Sequence, residues 1–176
     1  YFAYDKTYEA ANESLKELSS KWKNFPIEKK VEICLKFADL IEDNTNDIIE
    51  ICAKESGKSI KNSIAEIREA VDFCRYYSKE ALNLFQTQTL KGPTGELNQY
   101  RMIGKGLSFV ISPWNFPVAI FVGQTVAALM TGNVVITTPA EQSSFAAYYI
   151  IKLLLKAGLL NNARALLLGD GALMRK

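Results

Sequence analysis

The feature that most restricts the fold lies between residues 107 and 168, where short apolar runs alternate with helix-length segments. Leu107–Ser112 has the length of a buried strand. Residues 117–131 read as a helix that stops at Gly132-Asn133, and residues 134–138 are β-branched, a composition suited to a pleated surface. Residues 143–157 form a second helical segment ended by Gly158, and 165–168 offer a third strand before Gly169-Asp170-Gly171. This alternation predicts a parallel sheet with right-handed crossovers, because each strand must be carried back across the sheet before it can run beside its predecessor.

The residues ahead of this section read as helices. Tyr8, Ala11, Leu15, Leu18 and Trp22 recur at steps of three and four, which puts them on one helical face. Phe25-Pro26 breaks the chain, with Pro26 suited to a first helical turn. A second stripe comprises Ile27, Val31, Cys34, Leu35, Ala38 and Ile41. Asn44 or Asn46 can cap a short helix through Ile48, Ile51 and Cys52, with Gly57 as its stop. Ser59 is expected to cap a long helix with Ile60, Ile64, Ile67, Val71, Cys74 and Phe85 turned inward. Lys91-Gly92-Pro93-Thr94-Gly95 is a turn-rich break, so the expected division is a helical lead-in over 1–91 and an α/β section over 92–176.

Composition narrows the chemistry. The chain has no histidine, which removes imidazole acid–base catalysis and histidine-bearing zinc sites. Its three cysteines, Cys34, Cys52 and Cys74, form no CxxC pair and lie on or beside helical stripes, so they are expected to be buried, reduced thiols of a cytoplasmic protein. A net charge of +2, spread as alternating Lys and Glu, points to neither a nucleic-acid nor a membrane partner. The apolar stretch over 118–130 is shorter than the about twenty residues a bilayer span needs, and is expected to pack on the sheet.

Three motifs invite a ligand. Glu55-Ser56-Gly57-Lys58-Ser59 looks like the tail of a phosphate loop, but Cys52 stands where its first glycine belongs, and a helix stop followed by a helix cap accounts for it. Gly104-Lys105-Gly106 precedes a strand instead of following one and lacks a third glycine, so it reads as a turn. Ile111-Ser112-Pro113-Trp114-Asn115-Phe116-Pro117 differs from both, because it lies where the first parallel strand hands over to its crossover helix. Open α/β sheets present ligand sites at that position. Trp114 offers an apolar wall and Asn115 an amide donor for a developing oxyanion. A rigid turn with a packed Trp and a helix-capping Asn explains the same residues.

Ser112-Pro113-Trp114-Asn115-Phe116-Pro117, followed by a strand and Pro139-Ala140-Glu141-Gln142, resembles the aldehyde dehydrogenase superfamily. Glu55 to Ser59, Ala65 to Tyr77, Gly92-Pro93-Thr94-Gly95-Glu96 and Leu168-Gly169-Asp170-Gly171-Ala172 are similar to the 1-pyrroline-5-carboxylate dehydrogenase module of bifunctional proline-utilisation proteins. The resemblance covers essentially the whole chain. It implies an α/β fold, with a helical N-terminal section followed by an incomplete Rossmann-like parallel sheet of three βα strands, the section over 92–176 being part of an NAD-binding domain. It also implies oxidation of glutamate semialdehyde to glutamate through a cysteine thiolate, with NAD taking the hydride.

By the same resemblance, Asn115 helps form the oxyanion hole, and Ile111, Ser112, Pro113 and Trp114 line the cofactor cleft. Glu141 accepts hydrogen bonds from the adenosine ribose, and Gly171 lets the adenosine portion approach the backbone. The family has Lys before Pro-Ala-Glu where this chain has Thr138, so Thr138 stands at a cofactor-binding position without reach or charge, and weaker NAD binding is expected. The family's catalytic cysteine and general-base glutamate match nothing before Lys176, as does its oligomerisation hairpin. These 176 residues alone are therefore expected to be an inactive N-terminal fragment needing a C-terminal half as partner. Two alternatives remain: a non-catalytic relic with weak or no NAD binding, and a module that self-associates through exposed sheet edges.

Overall fold

The computed structural model describes residues 13 and 21–169. Of the first expected stripe only Trp22 falls within them; Tyr8, Ala11, Leu15, Leu18 and the proposed cofactor residue Gly171 lie outside the described residues. Helix α1 (Ile27–Asp43) starts directly after Pro26, which stands at the N-cap with φ −54° and an extended ψ of 136°, one residue ahead of the first turn expected for it. Helix α2 (Thr45–Ser56) follows Asn44 and ends at Gly57, which takes the left-handed conformation at φ 64° that closes the last turn. Helix α3 (Ile60–Leu84) begins at Ser59, whose hydroxyl accepts from the Asn62 amide at 3.3 Å.

Most stripe residues are buried as expected: Val31, Cys34, Ala38 and Ile41 on α1, Ile48 and Cys52 on α2, and Ile67, Val71 and Cys74 on α3. Leu35, Ile60 and Ile64 are corrections, since all three are exposed. Leu35 and Ile64 lie roughly 100° round their helices from the centre of the buried arc, at the margin of what neighbouring elements cover. Ile60 is the first residue of α3, and its side chain leans past the open helix end.

The turn at 91–95 sits inside a small antiparallel hairpin that periodicity does not signal. Strands β1 (Gln88–Leu90) and β2 (Asn98–Tyr100) pair with Leu90 opposite Asn98. They have three residues each and no buried face, so there is no apolar alternation to detect.

The sheet follows the expected pattern closely. Strands β3 (Leu107–Ser112), β4 (Val134–Pro139) and β5 (Arg164–Leu166) are parallel in the order β3-β4-β5, with Leu107 opposite Val134, Ser112 opposite Pro139, and Val135 opposite Arg164. Helix α4 (Ala119–Met130) carries β3 over to β4, and α5 (Ser144–Ala157) carries β4 over to β5. Helix α4 is buried nearly all round, because it lies between the sheet and α3. None of the described helices is long and apolar enough to cross a membrane.

The lead-in helices and the crossover helices share one apolar core, with Phe37, Ile41, Ile67 and Val71 from the first group beside Phe121, Val122, Leu129, Ile150 and Leu154 from the second. Polar ties reinforce it. The Trp22 indole donates to the Leu129 carbonyl at 3.0 Å, and the Tyr149 hydroxyl donates to Asp47 at 2.7 Å.

Gly104 is where backbone meets backbone most tightly. A Cβ there would stand 2.7 Å from the carbonyl atoms of Gly132 and from the Thr131 oxygen. Main chain cannot yield as a side-chain tip can, so Gly104→Ala is expected to cost about 1–3 kcal/mol, read as a lower urea midpoint at unchanged m.

Candidate functional site

Parallel strands all point their C-terminal ends to one edge, so the loops after β3 and β4 emerge side by side. Ile111 is opposite Thr138 in register, and the Ala140 amide donates to the Ser112 carbonyl at 3.1 Å, tying the two loops together at their roots. Six of the residues singled out from sequence, Ile111, Ser112, Pro113, Trp114, Asn115 and Glu141, therefore share this edge with Thr138. Their exposures differ in informative ways. Ile111 is 64% exposed and Trp114 54%, so the Trp presents a face to solvent instead of packing into a turn. Pro113 is half-buried, and Asn115 and Glu141 are exposed.

Two members turn inward. Ser112 is buried, and its hydroxyl has no hydrogen-bond partner among the described residues. Thr138 is 2% exposed and its hydroxyl donates to the Val110 carbonyl at 3.0 Å, so it is spent on the neighbouring strand. Asn115 does not cap α4. Its backbone carbonyl accepts from the Lys58 ammonium at 2.7 Å, while its side-chain amide meets no hydrogen-bond partner among the described residues.

The N-termini of both crossover helices are held by carboxylates from the lead-in. Glu66, 2% exposed on α3, accepts from the Val118 and Ala119 amides at 2.9 and 3.0 Å. Glu55, at the end of α2, accepts from the Phe145 and Ala146 amides at 2.7 Å each. Four otherwise orphaned donors are thereby satisfied by groups whose charge also suits the positive end of the helix dipole. Lys58 forms an ion pair with Glu66 and stands 4.7 Å from the centre of the Phe116 ring. Sequence reasoning explained Glu55 to Ser59 as a stop and a cap, which is correct for Gly57 and Ser59 but misses Glu55 and Lys58. The detectable signal was Glu66, a charged residue at a buried helical position among Ser63, Ile67 and Ala70.

The thiols take no part in this edge. Cys34, Cys52 and Cys74 are free and buried in the helical layer. Burial, with the nearby Glu66 charge adding to it, pushes Cys52 up to about 11, and the hydrogen-bonded Cys34 thiol together with burial pushes Cys74 up as well. A raised native value means that above the ordinary thiol value of 9.0 the unfolded chain loses the proton while the native one keeps it. Stability is then expected to fall as pH rises from 9 towards about 11, and Cys52→Ala to flatten that slope in urea titrations. No cluster of three metal-ligating side chains occurs among the described residues.

An open parallel α/β sheet with a rigid, amide-bearing loop at its C-terminal edge defines a class of small-molecule-binding proteins in which ligands lie across the strand ends. The aldehyde dehydrogenase family pattern matches residues 3–176, and the chain belongs to that family. It is 34% identical over 164 residues to the 1-pyrroline-5-carboxylate dehydrogenase of Bacillus subtilis, covering 93% of this chain and 32% of that protein. A solved proline utilization A (PutA) of Bradyrhizobium japonicum superposes with a TM-score of 0.97 at 38% identity, over 99% of this chain and 18% of that one. The 1-pyrroline-5-carboxylate dehydrogenase from Thermus, solved with bound NAD, gives 0.93 at 31% identity over 97% of this chain and 33% of that one. The chain thus spans about a third of the length of these dehydrogenases.

Proposed function

We propose that these residues are the leading part of an NAD-dependent dehydrogenase that oxidises glutamate semialdehyde, the open form of 1-pyrroline-5-carboxylate, to glutamate. The observation that carries this is the unpartnered Asn115 amide on a braced loop at the sheet's C-terminal edge, in a chain of the aldehyde dehydrogenase family. Asn115 donates to the aldehyde oxygen as negative charge develops on it. Ile111, Ser112, Pro113 and Trp114 form one wall of the cofactor cleft, and the exposed Glu141 carboxylate accepts from ribose hydroxyls. These residues fit NAD, since Ile111 and Trp114 present apolar faces at a strand-end crevice beside the exposed Glu141 carboxylate, one oxygen of which accepts from the Gln142 amide at 3.2 Å. NAD supplies the hydride acceptor when bound. Thr138 adds no grip on it, because its hydroxyl already serves Val110.

By itself the chain is catalytically silent, because each of its thiols is buried in the helical layer. It works with a catalytic half that brings the nucleophile to the Asn115 edge. Buried, unpaired thiols suit a reducing compartment such as the cytoplasm. A second behaviour has its own support: Leu90, Leu97, Tyr100, Met102 and Ile103 expose apolar surface on and beside the hairpin, which favours self-association. A concentration-independent monomer in light scattering would speak against it.

The functional test is a graft. This chain replaces the matching third of the Bacillus subtilis relative, and NADH formation from the pyrroline substrate is followed. Turnover dependent on NAD and substrate is expected. A folded, soluble graft without turnover would refute the proposal.

A further inference from the structure

The loop that carries Asn115 is gripped from outside by one buried ion pair. On one side of Phe116-Pro117 the Lys58 ammonium donates to the Asn115 carbonyl at 2.7 Å and lies against the Phe116 ring. On the other side one Glu66 oxygen accepts from the Val118 and Ala119 amides, while its second oxygen faces Lys58. The two side chains are 13% and 2% exposed, so the Glu66 bonds to the Val118 and Ala119 amides are charge-assisted and buried, while the Lys58 bond to the Asn115 carbonyl is charge-assisted at the more open rim. The peptide at 115 and the amides at 118 and 119 are therefore clamped by a single unit, and the loop between them cannot slide without breaking a bond to an ion. Beyond this clamp the Asn115 side-chain amide is free.

We infer that Lys58 and Glu66 are positioning residues for Asn115, setting where its amide stands relative to the substrate oxygen. The clamp fixes the backbone from which the Asn115 side chain departs, which narrows where its uncommitted amide can stand and so lowers the reorientation that a donor aimed at developing charge must undergo. The chemical consequence rests on Asn115 being the oxyanion donor; the positioning rests on geometry alone. Glu55 supplies an internal contrast. It caps α5 in the same manner, but its hydrogen bonds go to the Phe145 and Ala146 amides and none to the 112–117 loop, so it braces the fold without aiming Asn115.

Nitrogen-15 relaxation of the Asn115 backbone and side-chain amides in the 176-residue chain tests the positioning, the side-chain signals being assigned by their loss in Asn115→Ala. Both are expected to lose order in Lys58→Met and to keep it in Glu55→Gln and in Lys58→Arg, which still donates to the carbonyl. Removing Lys58 alone strands a buried carboxylate, so the double variant Lys58→Met/Glu66→Gln is the safer probe: it leaves no unpaired charge, and Gln still accepts an amide hydrogen. Asn115 is expected to stay mobile in it even where thermal stability recovers. An equally ordered Asn115 in that folded double variant would overturn the inference.

The graft provides the chemical readout. There the double variant is expected to lower kcat about 10²-fold, as a misplacement near 1 Å does, with KM for NAD within about twofold, and to add no further loss in an Asn115→Ala background. An additive loss in that background would mean that the pair does not act through Asn115. A graft inactive with every native residue in place refutes the dehydrogenase proposal, and the relaxation data then decide the positioning by themselves.

Discussion

Asn115→Ala in the grafted dehydrogenase is expected to reduce kcat by about 10²–10³-fold while KM for NAD changes little, because the amide acts on charge that exists only during reaction. The prediction follows from how Asn115 is held. Its carbonyl is taken by Lys58, the N-terminus of α4 by Glu66, and its side chain by nothing among the described residues. A capping asparagine would have cost stability when truncated; this one is expected to leave the unfolding free energy within about 0.5 kcal/mol of the starting chain, as for an exposed surface site. Steady-state kinetics of the graft and urea melts of the chain together separate the two roles. A variant that keeps its kcat but melts early would make Asn115 structural.

The opposite signature is expected at Glu66. Glu66→Ala should lower the unfolding free energy by about 3–5 kcal/mol, because breaking a buried ion pair leaves the remaining charge uncompensated. Lys58 would lose its partner at 13% exposure, and the Val118 and Ala119 amides would lose their acceptor at the start of a helix buried on nearly every side. Glu66→Gln should fall between, since it keeps an acceptor and gives up the charge. Circular dichroism in urea measures both. A Glu66→Ala midpoint near that of the unaltered chain would show that the cap is dispensable.

The two residues also mark how far the sequence could be read. Strand and helix positions from 107 onward were legible because their causes are local: a short apolar run at β3, a β-branched run at β4, and glycines at 132 and 158 that stop the preceding helices. Ser112 to Pro117 stood out because a proline-flanked Trp-Asn at a strand end is an unusual way to start a crossover. The β1–β2 hairpin was invisible because three exposed residues per strand carry no periodicity. Leu35, Ile60 and Ile64 were placed inside because apolar spacing defines a face, but not how much of it neighbours cover.

What escaped altogether was the bracing of the site. Glu66 finds its partners 52 and 53 residues along the chain, and Glu55 finds its own at 90 and 91. The place of Glu66 among Ser63, Ile67 and Ala70 signals its burial, but no local pattern names those partners. Thr138 shows a related limit. Its departure from the family's lysine could be seen in sequence, whereas the spending of its hydroxyl on Val110 required the sheet.

Chemical-shift mapping of NAD on the 176-residue chain tests most directly whether the C-terminal strand edge is the cofactor's place. Weak binding is expected, with shifts concentrated at Ile111 to Asn115 and at Thr138 to Glu141, and a change in the Trp114 indole signal. Shifts gathered instead in the groove between α2 and α5, around Asp47, Lys54, Phe145 and Tyr149, or no shift at millimolar NAD, would contradict the account.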